Sequence, residues 1–458
     1  MFFIKTVDLF SYMLYHLVMK YVSRTIESSV LQSLPAKEYI SIVGPRQAGK
    51  TTLLKYVKEY LLDQPEIDEN QVIFITFQNP LELVSFEKDP LNYIKSKFKT
   101  RKKRNYVLID EYQYAKNGGR DLKLLYDTQP NLKIIITGSS SLELRQISSQ
   151  MVGRIFQFYL GQFSFEEMLL AKSSTAGLNN FLRLKQQTND FLINSTSPQI
   201  AEVSPLVKNE LKNYFNELCV YGSYPAIVTA ATFDLKEQRL LNLYNSYVEK
   251  DIVGLLKIGK SEKFLKLVQY LALNIGQIFS NSSLRNELNL TNNEVDTFLD
   301  ALEETYVIHK VTPYFTNKNN ELKKAPLYYF LDVGLRNWTV ANFQDLNLRS
   351  DRGHLFENAI LTKIMKLVND NQEFRKINFW RKKSGAEVDF VLERLGNDST
   401  LIPIEVKHQN FTKPKITKSF YSFLDEYHPQ IGMVVTKDYF AVEVFKNTKI
   451  LFVPGYAF

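Results

Sequence analysis

Between residues 39 and 160, short apolar runs alternate with longer stretches in which apolar positions recur every three or four residues. The apolar runs cover residues 39–43, 71–77, 106–109, 133–137 and 154–160. Runs of this length are typical of buried strands, and the periodic stretches, beginning with residues 52–62, are typical of helices. Buried strands that alternate with helices predict an α/β unit with a parallel sheet covered on both faces.

From residue 163 to about residue 259 the pattern becomes helical and polar, and a Ser/Thr/Asn-rich patch at 188–198 predicts an exposed loop. Three helical stretches and two strand-like runs then follow, at 261–276, 282–288, 292–304, 307–315 and 327–331. Three helices and a hairpin are the composition of a winged helix. Helix 292–304 carries several acids and no base, which favours protein contacts or a structural role over DNA reading.

The last hundred residues predict a second α/β unit. A helix at 355–368 precedes a hairpin, a strand, a helix and a final strand, expected at 377–381, 386–393, 401–407, 415–426 and 431–436.

Composition adds limits to this picture. The 458 residues are 45% hydrophobic and 13% aromatic, enough for several cores, and the single cysteine, Cys219, excludes an internal disulfide and a multi-cysteine metal site. We therefore expect a reducing, cytoplasmic environment. The net charge of +8 permits nucleic acid or acidic membranes as partners without requiring either. Residues 1–20 are apolar but contain Asp8 and His16, so we expect a packing helix or an over-long translation start, and no membrane span.

Residues 44–51 fit the phosphate-loop pattern G-x-x-x-x-G-K-[ST], and they stand between a predicted strand and a predicted helix. Glycines let successive backbone N–H groups turn toward the phosphates of a nucleotide. Lys50 supplies a positive charge, and Thr51 supplies a hydroxyl for Mg²⁺. The predicted nucleotide-binding residues are Gly44, Pro45, Arg46, Gln47, Ala48, Gly49, Lys50, Thr51 and Thr52.

A pair of acids, Asp110 and Glu111, ends the apolar run at 106–109. An aspartate at the end of a strand can hold the water shell of Mg²⁺, and a following glutamate can polarise the attacking water. About 60 residues after a phosphate loop, this pair is typical of a Walker B site.

Two further features near this site each have two interpretations. Thr137 and Ser139 either sense the γ-phosphate or belong to a turn that starts a helix. Arg154 is either an arginine finger acting on a neighbouring subunit or part of a structural salt bridge.

A second group of acids lies near the C-terminus. Glu357 falls on the predicted helix, Asp389 on a hairpin strand, and Glu405 with Lys407 on the next strand. Residues two apart on a strand share a face, so Glu405 and Lys407 point the same way, and a neighbouring strand can bring Asp389 alongside. Carboxylates with a lysine on one sheet face can hold a divalent metal, through Asp389 and Glu405, and activate water for phosphodiester cleavage.

These motifs together resemble the large prokaryotic family of AAA-type P-loop ATPases that carry a C-terminal domain of unknown function with a PD-(D/E)xK nuclease-like fold. The matching residues are 44–52, 110, 111, 113, 137–141, 153–154, 331–335, 356–358, 387–390 and 404–407. The resemblance implies that Lys50, Thr51, Asp110 and Glu111 serve ATP, with Mg²⁺. It also implies that Glu357, Asp389, Glu405 and Lys407 occupy nuclease-type positions.

The expected organisation has five segments. They are an N-terminal extension at 1–20, an AAA-type P-loop ATPase core at 21–165, a helical lid or linker at 166–258, a winged helix at 259–345 and a restriction-endonuclease-like α/β domain at 346–458. Two functions remain open: an ATPase whose cycle controls a Mg²⁺-dependent nuclease acting on DNA or RNA, or an ATP-dependent switch whose nuclease-like domain is inactive. A protein partner of the winged helix and a homo-oligomer are further expectations.

Overall fold

The computed structural model divides into two compact units, Met1–Phe163 and Ser164–Phe458. The structure describes residues 21–98, 103–139, 149–199, 203–247, 262–316, 324–370, 373–395 and 400–458. The predictions for residues 1–20, and for Ser140 and Ser141, therefore lie outside the described residues. Among the helices that the structure describes, none has the length and apolar character needed to cross a bilayer.

The first unit is an α/β unit in which helices separate parallel strands, as its sequence pattern predicts. Its helices and strands are α1 (Glu27–Gln32), β1 (Tyr39–Val43), α2 (Lys50–Leu62), β2 (Val72–Thr76), α3 (Pro80–Lys88), α4 (Pro90–Ser96), β3 (Asn105–Asp110), α5 (Gly118–Thr128), β4 (Leu132–Gly138) and β5 (Ile155–Tyr159).

The five strands form one sheet in the order β2-β3-β4-β1-β5, and all neighbours are parallel. Side chains alternate between its two faces. Ile40 and Ile42 of β1 pack in one buried cluster, while Tyr39 and Val43 pack in the other. Both faces are therefore covered, which explains why the strands read as continuous apolar runs.

The helices of the second unit come first and its sheet later. The helices are α6 (Phe165–Lys172), α7 (Thr175–Asn194), α8 (Pro205–Tyr221), α9 (Pro225–Val228), α10 (Phe233–Ser246), α11 (Glu262–Leu273), α12 (Asn281–Leu288), α13 (Asn292–Glu304), α14 (Val333–Thr339), α15 (Arg352–Asp370) and α16 (Lys418–Tyr427). The strands are β6 (Ile308–Pro313), β7 (Leu327–Phe330), β8 (Phe374–Arg381), β9 (Glu387–Arg394), β10 (Thr400–Lys407), β11 (Ile431–Thr436), β12 (Ala441–Phe445) and β13 (Thr448–Pro454).

These strands form one mixed sheet in the order β12-β13-β11-β10-β9-β8-β6-β7. The hairpin β6–β7, expected as the wing of a winged helix, is continuous with the C-terminal sheet, because Thr312 and Pro313 of β6 pair in parallel with Asn378 and Phe379 of β8. The predicted boundary between the winged helix and the C-terminal domain, at 345/346, thus falls inside one compact unit.

Three local predictions differ from the structure. The polar patch at 188–198 predicts a loop, but α7 continues through Asn194 because Thr188 and Phe191 are buried. The polar stretch 78–105 predicts a loop and one helix, but its described part contains two helices, each with a proline at its first position. The strand at 431–436 is not the last one, since the hairpin β12–β13 follows and its inner strand is buried along most of its length.

Candidate functional site

The strand order of the first unit brings three loops to one edge of the sheet. β4 lies between β1 and β3, and Val43 at the end of β1 pairs with Gly138 at the end of β4. The phosphate loop leaves β1, Asp110 ends β3, and Ser139 follows β4. In open α/β sheets ligands bind at this carboxyl edge of the strands.

The phosphate loop follows β1 in a conformation that glycine permits. A Cβ on Gly44 would stand 2.0 Å from the carbonyl oxygen of Leu160, so the main chains approach too closely for any side chain there. Gly49 starts α2 with a φ of 96°, in the left-handed region. Lys50 is 5% exposed, and its Nζ donates to the carbonyl oxygens of Gly44 at 2.9 Å and Pro45 at 2.7 Å.

Asp110 receives a hydroxyl on each carboxylate oxygen. Thr51 Oγ1 donates to Oδ2 at 2.9 Å, and Thr137 Oγ1 donates to Oδ1 at 2.5 Å. Asp110 is only 4% exposed, so these hydroxyls replace the water that burial removes. A hydroxyl and a carboxylate held together are the hard oxygen ligands that Mg²⁺ prefers, and Thr51 with Asp110 fits that ion.

Glu111 stands in a strained backbone position next to Asp110. Its φ of 58° and ψ of 45° lie in the left-handed region, which is uncommon for a residue with a side chain. Its backbone N–H donates to Thr137 Oγ1 at 3.3 Å, and its Oε2 accepts from Gln113 Nε2 at 2.5 Å. Gln113 also donates to Ser139 Oγ at 3.2 Å. Thr137 thus contacts both acids directly, and Ser139 is joined to Glu111 through Gln113.

Arg154 engages a carboxylate of its own unit. Its Nε lies 3.2 Å from Asp127 Oδ1, and its guanidinium lies 5.8 Å from the centre of the Tyr126 ring. This geometry agrees with the salt-bridge interpretation.

In the second unit, three of the four predicted nuclease-type residues make direct contacts. The backbone N–H of Val406 donates to Asp389 Oδ2 at 2.6 Å, across the β9–β10 pair. Lys407 Nζ lies 3.1 Å from Glu405 Oε1 and 3.8 Å from Asp389 Oδ2. Glu405 is 3% exposed and also accepts from Thr417 Oγ1 at 2.8 Å.

Glu357, on α15, belongs to the same neighbourhood. Its Oε1 accepts from the hydroxyl of Tyr329 at 2.5 Å, and a Cβ on Gly276 would stand 3.3 Å from that oxygen. Burial raises the pKa of Glu357, and the charge of Asp389 raises it further. Burial also raises the pKa of Asp389, against the opposing effect of Lys407. The protonation of Glu357 is therefore sensitive to the charge of Asp389.

The acids of this group are held by ion pairs and hydrogen bonds within the second unit. Within the described parts of the chain, no three His, Cys, Asp or Glu side chains converge closely enough to hold one ion. Instead, the ammonium of Lys407 pairs with the carboxylates of both Asp389 and Glu405, and the hydroxyl of Tyr329 donates to Glu357. Burial alone would lower the pKa of Lys407, but Asp389 and Glu405 raise it, so the ammonium group stays charged.

Sequence reasoning missed the partners that hold these acids. Tyr329 lies on β7 and Thr417 caps α16, far from the acids in sequence. Neither residue belongs to a sequence motif, because a single hydroxyl side chain has no characteristic spacing from the acid that it contacts. Asn358 is different, because it directly follows the predicted site residue Glu357 in the sequence. It is fully buried and exchanges two hydrogen bonds with the main chain of Phe330.

Comparison with known proteins assigns the first unit to a class. Residues 36–169 match the family model described as an AAA domain, which makes this part of the chain a P-loop domain of the AAA ATPase type. Residues 212–347 and 352–456 match two families, each described as a domain of unknown function, DUF8612 and DUF4143. Those descriptions name no activity, so the nuclease-like character of the C-terminal region stays a prediction.

Similar proteins occur in bacteria and archaea. An uncharacterized protein of Haemophilus influenzae is 25% identical over 307 residues, which cover 65% of this chain and 68% of the relative. An uncharacterized protein of Methanocaldococcus jannaschii is 23% identical over 412 residues, covering 88% of this chain and 81% of the relative. Among solved structures, a Walker-type ATPase of Pyrococcus abyssi aligns with 70% of this chain and 97% of its own, with 17% identity and a TM-score of 0.42.

Proposed function

We propose that the protein binds and hydrolyses ATP with Mg²⁺ at the carboxyl edge of the five-stranded sheet, and that this cycle controls the second unit. The observation that carries the proposal is the network of Thr51, Asp110, Thr137 and Glu111, which joins the phosphate loop to the two acids at the end of β3.

Each residue has a role that its contacts support. Lys50 exchanges its bonds to the carbonyls of Gly44 and Pro45 for bonds to phosphate oxygens, which are stronger because both partners are charged. Thr51 and Asp110 hold the Mg²⁺, which neutralises phosphate charge when it is bound. Glu111 accepts a proton from the attacking water, and Gln113 holds its carboxylate in place.

Isothermal titration of the full chain with Mg-ATP tests the binding step. The native protein is expected to bind, and Lys50→Ala is expected to weaken binding at least about a hundredfold, because it removes charged hydrogen bonds to the phosphates. Lys55→Ala, an exposed lysine on the same helix, is the matched control and should bind as the native protein does. No binding by the native protein, or native affinity in Lys50→Ala, would contradict the proposal.

A second candidate function is phosphodiester cleavage of DNA or RNA by the C-terminal region. It is supported by the closeness of Asp389, Glu405 and Lys407 on neighbouring strands, with Glu357 beside them. The pairing of these acids with Lys407 and Tyr329 instead favours the alternative, a switch or interaction protein whose nuclease-like region only binds. In that case a protein partner, or a second copy of the chain, receives the signal.

Cleavage of single- and double-stranded DNA and RNA with Mg²⁺ or Mn²⁺, with and without ATP, separates the two. For a nuclease, cutting is expected in the native protein and lost in both Asp389→Asn and Lys407→Ala. Asp425→Asn, which changes an exposed acid paired with Lys446, is the control and should leave cutting intact. ATP turnover without cutting under any condition would favour the switch.

A further inference from the structure

A buried arginine outside every motif contacts the back of the phosphate loop. Arg24 precedes α1 and is 5% exposed. Its Nη1 donates to the carbonyl oxygen of Ala48 at 2.6 Å, and its Nη2 donates to the carbonyl oxygens of Gly161 at 2.8 Å and Gln162 at 3.1 Å. The guanidinium also lies 4.9 Å from the centre of the Phe163 ring. One side chain therefore joins the phosphate loop to the segment that follows β5.

The bond to Ala48 fixes the direction of a phosphate-binding group. The carbonyl of Ala48 and the N–H of Gly49 belong to one peptide plane, and in a trans peptide they point in opposite directions. Holding that carbonyl toward Arg24 therefore turns the N–H of Gly49 away from Arg24. Ala48 is fully buried, so water cannot supply the donor that Arg24 provides.

The main chain around Arg24 is held independently of its guanidinium. Glu27 Oε2 accepts from the Tyr21 hydroxyl at 2.8 Å, from Ser23 Oγ at 3.0 Å and from the N–H of Arg24 at 3.3 Å. Tyr21 in turn stacks on Tyr56 of α2, with ring centres 4.6 Å apart. A substitution at Arg24 should therefore remove the guanidinium contacts and leave the segment in place.

From these contacts we infer that Arg24 is a positioning residue for the nucleotide phosphates. It holds the peptide between Ala48 and Gly49 so that the N–H of Gly49 faces the phosphate side of the loop. It also ties the loop to the carbonyls of Gly161 and Gln162, in the segment that follows β5. Without this tie the loop must be ordered at the time of binding, which lowers affinity. The inference rests on the proposed ATP binding.

The test compares two arginines with the same chemistry. Arg104 also donates to two backbone carbonyls, those of Pro35 and Ala36, and lies 5.9 Å from the centre of the Tyr106 ring. Arg24→Gln is expected to raise the Kd for Mg-ATP roughly tenfold or more, the size that charged hydrogen bonds imply. Arg104→Gln should leave the Kd within about twofold of the native value, since it touches no part of the phosphate loop.

Turnover separates positioning from general damage. The KM of Arg24→Gln should rise while kcat at saturating ATP stays within about twofold, because binding of ground state and transition state weakens equally. If Arg24→Gln does not fold, Arg24→Lys is measured in its place. Its ammonium keeps the positive charge but lacks the planar fork with which the guanidinium donates to several carbonyls at once, so an intermediate Kd is expected. If the native protein binds ATP and either Arg24→Lys or a folded Arg24→Gln binds it with native affinity, the inference is overturned and the proposed ATP binding is not. Equal weakening in both glutamine variants would overturn the inference too.

Discussion

The hydroxyl of Thr137 supports both acids of the nucleotide site, so its removal makes a sharp test. Thr137→Val keeps the size of the side chain and replaces the hydroxyl by a methyl group. It removes the donor to Asp110 Oδ1 at 2.5 Å and the acceptor of the Glu111 N–H at 3.3 Å. Thr137 is fully buried and Asp110 is 4% exposed, so water cannot replace either contact.

The magnitude follows from those two contacts. A hydrogen bond to a charged acceptor contributes about 1.5–3 kcal/mol, whereas the buried methyl group of valine returns up to about 0.8 kcal/mol. Thr51 still serves the other oxygen of Asp110. We therefore expect the free energy of unfolding of the first unit to fall by about 2 kcal/mol. Turnover should fall as well, since Glu111 loses the contact that holds its main chain.

Hydrogen exchange of the amides in β1, β3 and β4 measures the free energy of unfolding of the first unit by itself. The control is Thr188→Val. Thr188, on α7 of the second unit, is also fully buried, but its hydroxyl donates only to the Leu184 carbonyl, so exchange of the α7 amides should show a change within about 0.5 kcal/mol. Native exchange rates together with native ATP turnover in Thr137→Val would refute the reasoning.

Three more predictions concern buried charges and a glycine of the second unit. Asp351→Ala leaves Arg336 and Arg349, whose side chains are 2% and 0% exposed, without their shared carboxylate. Urea unfolding should then show a loss of about 3–5 kcal/mol, and a loss near zero would contradict the pairing. Burial raises the pKa of Asp332 from 3.8 to about 6, so the folded state binds a proton more tightly than the unfolded chain. Its stabilising contribution is complete below pH 3.8 and is lost as the pH rises through about 6, a change of about 3 kcal/mol. Asp332→Asn should flatten that part of the stability–pH curve, and an unchanged curve would exclude Asp332 as its source. Gly222→Ala would place a Cβ 2.2 Å from Asp332 Oδ1 at a φ of 74°, so thermal melting should show a loss of about 2–4 kcal/mol; a native melting temperature would contradict the predicted clash.

Much of the first unit is predictable from its sequence because its signals are local. The phosphate loop has a fixed spacing, and β1 begins and ends where the apolar run places it. The fold class, an α/β unit with a parallel sheet, is confirmed. The position of β4 between β1 and β3 is not readable from alternation, because strand order is decided by long-range packing.

The second unit shows where local signals fail. Ser, Thr and Asn disfavour a helix only weakly, so the burial of Thr188 and Phe191 keeps α7 helical through a polar patch. The apolar run at 450–453 was an available signal for β13. The partners of the candidate acids, Tyr329 and Thr417, meet them only through tertiary packing, so no spacing rule predicts them.

ATP hydrolysis by the full chain tests the central claim most directly. Phosphate release with Mg-ATP would be measured for the native protein, for Glu111→Gln, and for Glu87→Gln as a control in which another carboxylate of the same unit, an acceptor from the Lys116 N–H, is changed. The account predicts turnover in the native protein and the control. It predicts ATP binding with little hydrolysis in Glu111→Gln, because only the proton acceptor is lost. Native turnover in Glu111→Gln, or none in the native protein, would contradict it.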